Sequence, residues 1–342
     1  MKMAQMRRKN LSLAEKGLSA AAFLAVLAGV CFQAAAGEFK FKKIDEKSLG
    51  LWEGDQPVLV YNFGVMSKPG VPADRNRSTY FHPIYGVDGE VLTDDFPRDH
   101  YHHRGLFWAW PHIKVDGQEY STWDIKGIRQ EFERWLFQQA DNKGAFLGVE
   151  NGWYVGPKKV MQEQVKLRVS RLIYGRQGAT NLPAQRYLNL EFTWTPVGSD
   201  VTLAGAEGKS YGGLTFRYAP RTKTVITTPE GAGTNDLAIT RLPWADLSAQ
   251  WTGSQTTSGA AIFIAPDHPD YPPTWLTRHY GVLCVGWPGV DGKTFKAGEP
   301  IHCRYLVWIH RWHREADSKV LFEDLKFMSK AYAKEGPITW PK

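Results

Sequence analysis

Between Tyr187 and Pro196 the chain alternates apolar and polar side chains: Leu188, Leu190, Phe192 and Trp194 against Asn189, Glu191, Thr193 and Thr195. Successive side chains of a strand point to opposite faces, so this period of two marks a strand with one buried face. Short runs rich in β-branched and aromatic residues recur at Val58 to Phe63, Leu106 to Trp110, Lys166 to Tyr174, Gly259 to Ile264, Gly281 to Gly286 and His302 to His310. Gly, Pro, Asn and Asp punctuate them at the spacing of a sandwich or barrel. One helical pattern stands at the end. There Leu321, Leu325, Met328 and Tyr332 share a face, Asp317 or Ser318 can cap the start, and Gly336-Pro337 stops it. The expected fold is all-β: a large antiparallel β-sandwich of two packed sheets with a C-terminal helix on the outside.

The first 36 residues read differently. Lys2, Arg7, Arg8 and Lys9 form a basic head, Gly17 to Val30 an apolar run too short to span a bilayer comfortably, and Ala34-Ala35-Ala36 a small-residue cleavage pattern. Residues 1–36 are therefore expected to be a signal peptide and 37–342 a single β domain, placed in the periplasm or secreted. A lipoprotein site at Cys31 has Val30 where a small residue is wanted. A twin-arginine route through Arg7-Arg8 has Asn10 where an aromatic is preferred.

Five Lys or Arg and one Glu in residues 1–36 account for +4 of the formal +7, leaving +3 for the rest. Nucleic-acid binding thereby loses its main support. Nothing after the leader reaches the roughly 18 consecutive apolar residues of a membrane span. Only Cys284 and Cys303 follow the leader, too few for a disulfide scaffold or a cysteine zinc site. Their spacing allows antiparallel neighbouring strands and a bridge, with two buried free thiols as the alternative.

Two segments concentrate chemistry. The first holds His82, then Asp99-His-Tyr-His-His-Arg-Gly105, then His112, so that five of the ten histidines are close in sequence. If residues 99 to 104 were extended, His100 and His102 would share a face. No cofactor is called for. A divalent metal on His100, His102 and His103, with Asp99, is an alternative to imidazoles that move protons, as is a loop network that only pins the strand start. The second segment is Asp267 to Gly281, a proline-rich loop with His268, Trp275, Arg278, His279 and Tyr280, readable as a binding surface or as a rigid connector. All 14 tryptophans follow the leader. Indole faces beside Arg, Asp, His and Asn suit sugar rings, although Trp110, Trp194 and Trp308 read as packing residues.

The stretch FHPIYGVDGEVLTDDFPRDHYHHRGLFWAW (Phe81 to Trp110), the strand Tyr211-Gly-Gly-Leu-Thr-Phe-Arg217 and the stretch DHPDYPPTWLTRHYG (Asp267 to Gly281) resemble DUF6807, a family of uncharacterised bacterial proteins also catalogued as methane-oxygenase-like. A membrane copper subunit would need several spanning helices, which this chain lacks. The resemblance implies a galactose-mutarotase-like supersandwich, a fold used by sugar epimerases, polysaccharide lyases and some glycosidases; fold alone does not give the reaction. Aldose epimerases place a catalytic Glu after a strand similar to Tyr280 to Trp287, where this chain has Val285 and Gly286.

The reading is an exported carbohydrate-active protein doing acid–base chemistry of lyase, isomerase or hydrolase type on a sugar or oxidised sugar. His103 and His268 are the expected proton-transfer groups. His82, His100, Arg104, His112, Arg217 and Arg278 would hold hydroxyls or carboxylates, and Trp275 or Tyr280 would stack on the ring. The alternatives are a non-catalytic glycan-binding module and a metal-dependent hydrolase or lyase on the histidine cluster. A carbohydrate or other small molecule is the expected partner.

Overall fold

The structure, a computed structural model, describes residues 37–171, 185–312 and 318–341. Two nine-stranded antiparallel sheets and a smaller four-stranded sheet make up the fold. The first large sheet runs, edge to edge, through Phe39–Asp45, Ser48–Glu53, Gln56–Asn62, Tyr80–Ile84, Leu106–Ala109, Gly213–Arg217, Val282–Gly286, Thr274–Arg278 and Ala238–Arg241. The second runs through Gly231–Gly233, Arg221–Thr228, Trp244–Trp251, Thr257–Ile264, Ile301–Trp312, Arg186–Pro196, Lys158–Arg171, Gly144–Val155 and Arg129–Ala140. Lys293–Phe295, Val201–Ala204, His112–Val115 and Gln118–Tyr120 form the small sheet. The fold is the large antiparallel β-sandwich with a C-terminal helix expected from the alternating pattern. Among the described residues no helix is long and apolar enough to cross a membrane. The expected leader, the Asp317 cap and the end of the Lys166 to Tyr174 run lie outside the described residues.

Leu188, Leu190, Phe192 and Trp194 point into the main core between the sheets. On the outer face of the second sheet, Tyr187, Trp244, Phe263 and Trp308 are covered by the helix Ser318–Tyr332 through Leu321, Leu325, Met328 and Tyr332. That is the helical face read from the sequence. Trp110, Trp194 and Trp308 are buried, as packing residues should be. The long strands Arg129–Ala140 and Gly144–Val155 are absent from the sequence reading. The first is an edge strand whose burial is mixed along its length, so it carries no clean period of two.

Both cysteines are free and buried. Cys284 lies in the first large sheet and Cys303 in the second, so the antiparallel-neighbour geometry that a bridge needs does not arise. Cys284 instead sits 3.1 Å from the Thr215 hydroxyl, which donates to its sulfur.

The two large sheets are pinned by one carboxylate. Glu163, fully buried on the Lys158–Arg171 strand, accepts the indole N–H groups of Trp108, Trp153 and Trp194 on Oε2 at 2.7, 2.9 and 2.8 Å. Its Oε1 accepts from Asn151 Nδ2 at 2.8 Å, and Asn151 Oδ1 accepts from the Tyr61 hydroxyl at 3.2 Å. Trp108 and Tyr61 belong to the first sheet; Trp153, Asn151, Glu163 and Trp194 belong to the second. Burial pushes the Glu163 carboxyl up, while the four donors work in the opposite direction. All four are N–H groups, which a carboxylate satisfies and a protonated carboxyl could not fully accept. Glu163→Gln puts an NH2 where one acceptor oxygen stood. It should cost about 2–4 kcal/mol, because a hydrogen bond is lost and a buried donor is left unpaired. Urea unfolding measures this, and a loss below about 0.5 kcal/mol would contradict the role given to this node.

Candidate functional site

The Leu106–Ala109 strand shows how inner packing and the site are coupled. Leu106 and Trp108 face the core, while Phe107 and Ala109 face outward and join Tyr80, Trp123, Leu276, Val282 and Cys284 in a smaller apolar cluster. On the same outer face opens a cleft of about 170 Å³. Its walls include His100, His102, His103, Trp123, Tyr211 and Tyr280, with the charged Asp124, Lys209 and Arg278.

The histidine segment is not extended. His100 N–H donates to Pro97 O and His103 N–H to His100 O, so the chain turns twice and gathers all three rings. Gly105 ends the turn; a Cβ there would lie 2.1 Å from Phe81 O, so only glycine lets this segment press against Tyr80–Ile84. Tyr280, His100 and His103 form a column of parallel rings, with centroids 5.5 and 4.6 Å apart and interplanar angles of 7° and 6°. His102 stands edge-on to His103 at 4.6 Å. Imidazole lone pairs lie in the ring plane, so stacked rings do not aim at a common ion. Among the described residues no group of three or more His, Cys, Asp or Glu could hold a metal. The metal alternative on His100, His102 and His103 does not match this arrangement.

Behind the column, Arg217 Nη2 donates to both Asp99 oxygens at 2.8 and 3.0 Å, and its guanidinium lies 5.0 Å from the Tyr280 ring centre. Asp99 Oδ2 is 3.0 Å from His100 Nδ1, at an angle too bent for a full hydrogen bond. Partial burial raises the Asp99 carboxyl, but His100 and Arg217 outweigh it and hold the group below the usual carboxylate range. Burial lowers His102 to about 4, with Asp124 opposing and Arg77 reinforcing. His103 is driven well below 6.5 by burial, then by His102 and His100. Both are neutral near pH 7.

Of the residues read from the sequence, His100, His103, Arg278 and Tyr280 line this cleft, and Arg217 stands behind it. The others are placed elsewhere. His268 is buried, with Nε2 3.2 Å from the Tyr305 hydroxyl and Nδ1 accepting the Asp270 N–H at 3.2 Å. Its ring packs on Trp287 and Tyr305, so it shares no cavity with His103 and braces the loop instead. Trp275 is fully buried, its indole N–H on Leu242 O; on Thr274–Arg278 it faces the core, whereas Leu276 and Arg278, one and three positions further on, point to the opposite face and line the cleft. Arg104 has no exposed surface. It holds the turn by donating to Tyr101 O, His103 O and Arg75 O, stacked on Phe96 at 3.4 Å. His82 bonds Thr93 Oγ1 at 3.0 Å and is lowered to about 4 by burial, Lys68 and Arg104. His112 pairs with Glu119 at 2.6 Å in a separate open groove on the small sheet. Trp123, Asp124, Lys209 and Tyr211 line the cleft without having been chosen from the sequence, and His102, named there only for a metal, lines it too. An aromatic beside an acid in the turn Ser121-Thr-Trp-Asp-Ile125 was the available signal for two of them.

The His268 placement has a titration consequence. Burial lowers His268 to about 4, with Asp270 and Asp267 opposing. Between pH 6.5 and about 4 the unfolded chain carries a proton there that the native protein does not, so the stability contributed by neutral His268 is lost as pH falls. The stability advantage of the wild type over His268→Asn should therefore shrink by about 1.4 kcal/mol per pH unit across that window. Urea unfolding at several pH values measures it, and a pH-independent difference would contradict the buried neutral assignment.

The family model for "Family of unknown function (DUF6807)" matches residues 49–320. Among curated proteins no relative matches the chain significantly. Among solved structures, a heparan sulfate lyase HepC mutant from Pedobacter heparinus is similar at 8% identity and TM-score 0.38, over 82% of this chain and 36% of that one. A polysaccharide lyase is similar at 13% identity and TM-score 0.28, over 84% of this chain and 35% of that one. The chain thus spans about a third of the length of each.

Proposed function

We propose, for a chain that belongs to the DUF6807 family, an exported carbohydrate-active enzyme whose histidine cleft performs acid–base chemistry on a sugar or oxidised sugar. The observation that carries this reading is the Asp99 carboxylate, held by Arg217 and 3.0 Å from His100 Nδ1, at the wall of an aromatic-lined cleft. A carboxylate beside an imidazole, itself fixed by a third group, orients a proton-transfer residue. His100 takes that role in preference to His103, whose ring is stacked beneath it and is buried. Tyr211 and Tyr280 offer faces for the C–H surface of a sugar ring, while Arg278, Lys209 and Asp124 offer groups for its oxygens.

The test is turnover on a panel of neutral and uronate-containing oligosaccharides. On the substrate that reacts, His100→Ala should lower kcat by roughly 10²-fold or more with the fold intact. Asp99→Asn should lower kcat with little change in KM, as expected for a positioning residue. Saturable binding without turnover anywhere in the panel would instead identify a glycan-binding module. For export, protein recovered from the periplasm or medium should begin within a few residues of Gly37, and an intact Met1 there would contradict it.

A further inference from the structure

On the other side of the 121–128 turn lies a second and larger cavity, of about 340 Å³. Thr122 lines this cavity, whereas Trp123 and Asp124 line the histidine cleft. Arg77 on its wall is 5% exposed. Its Nη2 donates to the carbonyls of Thr122 and Trp123, and its guanidinium lies 5.1 Å from the Phe107 ring centre. Nη1 is buried and has no partner. A buried guanidinium is ordinarily matched by a carboxylate. Asp74 and Glu131, the carboxylates that line this cavity, are each already beside another arginine: Asp74 lies 3.7 Å from Arg75, and Glu131 bonds Arg129 Nε. No described carboxylate lies within ion-pair distance of Arg77; Asp124 and Asp95 act on it only from farther away. Burial, with Arg104 reinforcing it and Tyr80, Asp124 and Asp95 opposing it, pushes Arg77 down to about 9, the direction expected of a desolvated cation. Asn76, next along the wall, has a buried amide oxygen that also lacks a partner, and turning the amide would present its NH2 to the same occupant.

We infer that this cavity binds an oxyanion, a carboxylate or sulfate either free or carried on a sugar, with Arg77 Nη1 and Asn76 as donors. The site is distinct from the histidine cleft and does not depend on its chemistry. The planar fork of an arginine fits such a group in two-point contact.

Thermal unfolding of the purified protein, at ionic strength held constant with chloride, tests it with two probes: inorganic sulfate and glucuronate. A saturable rise in Tm of about 3 °C at tenfold excess over Kd is expected for at least one probe. Sulfate alone would identify a free-ion site; glucuronate would identify a site that accepts a sugar-borne group. Arg77→Gln should abolish the rise. Because that variant removes a buried staple, Asn76→Asp serves as the second: its carboxylate supplies a built-in counter-ion, and the ligand-dependent rise should vanish in a folded protein. Shifts no larger than in chloride for both probes, or an undiminished rise in Asn76→Asp, would overturn the inference.

Discussion

A single buried carboxylate holds the two large sheets in register. Glu163 collects three indole N–H groups and an asparagine amide, and the chain of contacts continues to Tyr61. Taking a carboxylate out of water costs several kcal/mol, and only a full set of donors offsets it. The arrangement works because the donors come from both sides of the sandwich: removing the carboxylate would strand buried N–H groups on two sheets at once. Nearby indoles extend the ordering, with Trp110 within 5.3 Å of both Trp153 and Trp194, and its own N–H on Trp287 O.

The cleft inherits its rigidity from this core. Trp108 and Phe107 are neighbours in one strand, the first bonded to Glu163 and the second packed beneath His103 and Trp123. The same division recurs where Trp275 is locked inward to Leu242 O and Leu276 and Arg278 line the cleft. Leu276, Arg278 and Val282 of the cleft therefore stand on strands whose opposite face is close-packed, and the rings of the cleft come from turns set against those strands. The polar residues behind the cleft, Arg104 and Arg217, serve the same end by fixing the histidine turn and Asp99.

Much of this architecture was legible in the sequence. The alternation at Leu188 to Trp194 and the helical face Leu321, Leu325, Met328 and Tyr332 follow from period alone, and both face as read. The histidine-rich segment did mark the cleft, along with Arg278 and Tyr280. What was not legible was direction. Trp275 and Leu276 differ by one position, and nothing local says which one faces the core. His268 resembles a functional histidine by composition, yet its bonds to Tyr305 and the Asp270 N–H make it a brace. The Glu163 node was invisible for the same reason: one Glu in a polar-alternating strand becomes a hub only once its two neighbouring strands and a strand of the opposite sheet bring their donors to it.

Under the proposed function the outer-face cleft, and not the groove at His112 or the loop at His268, holds a sugar ring. A crystal structure of the protein soaked with the oligosaccharide that it turns over or binds best tests this most directly. A ring against Tyr211 or Tyr280, with an oxygen in hydrogen-bond reach of His100, is the expected result. Sugar density confined to the groove lined by His112 and Glu119, with the histidine cleft holding only water, would contradict it.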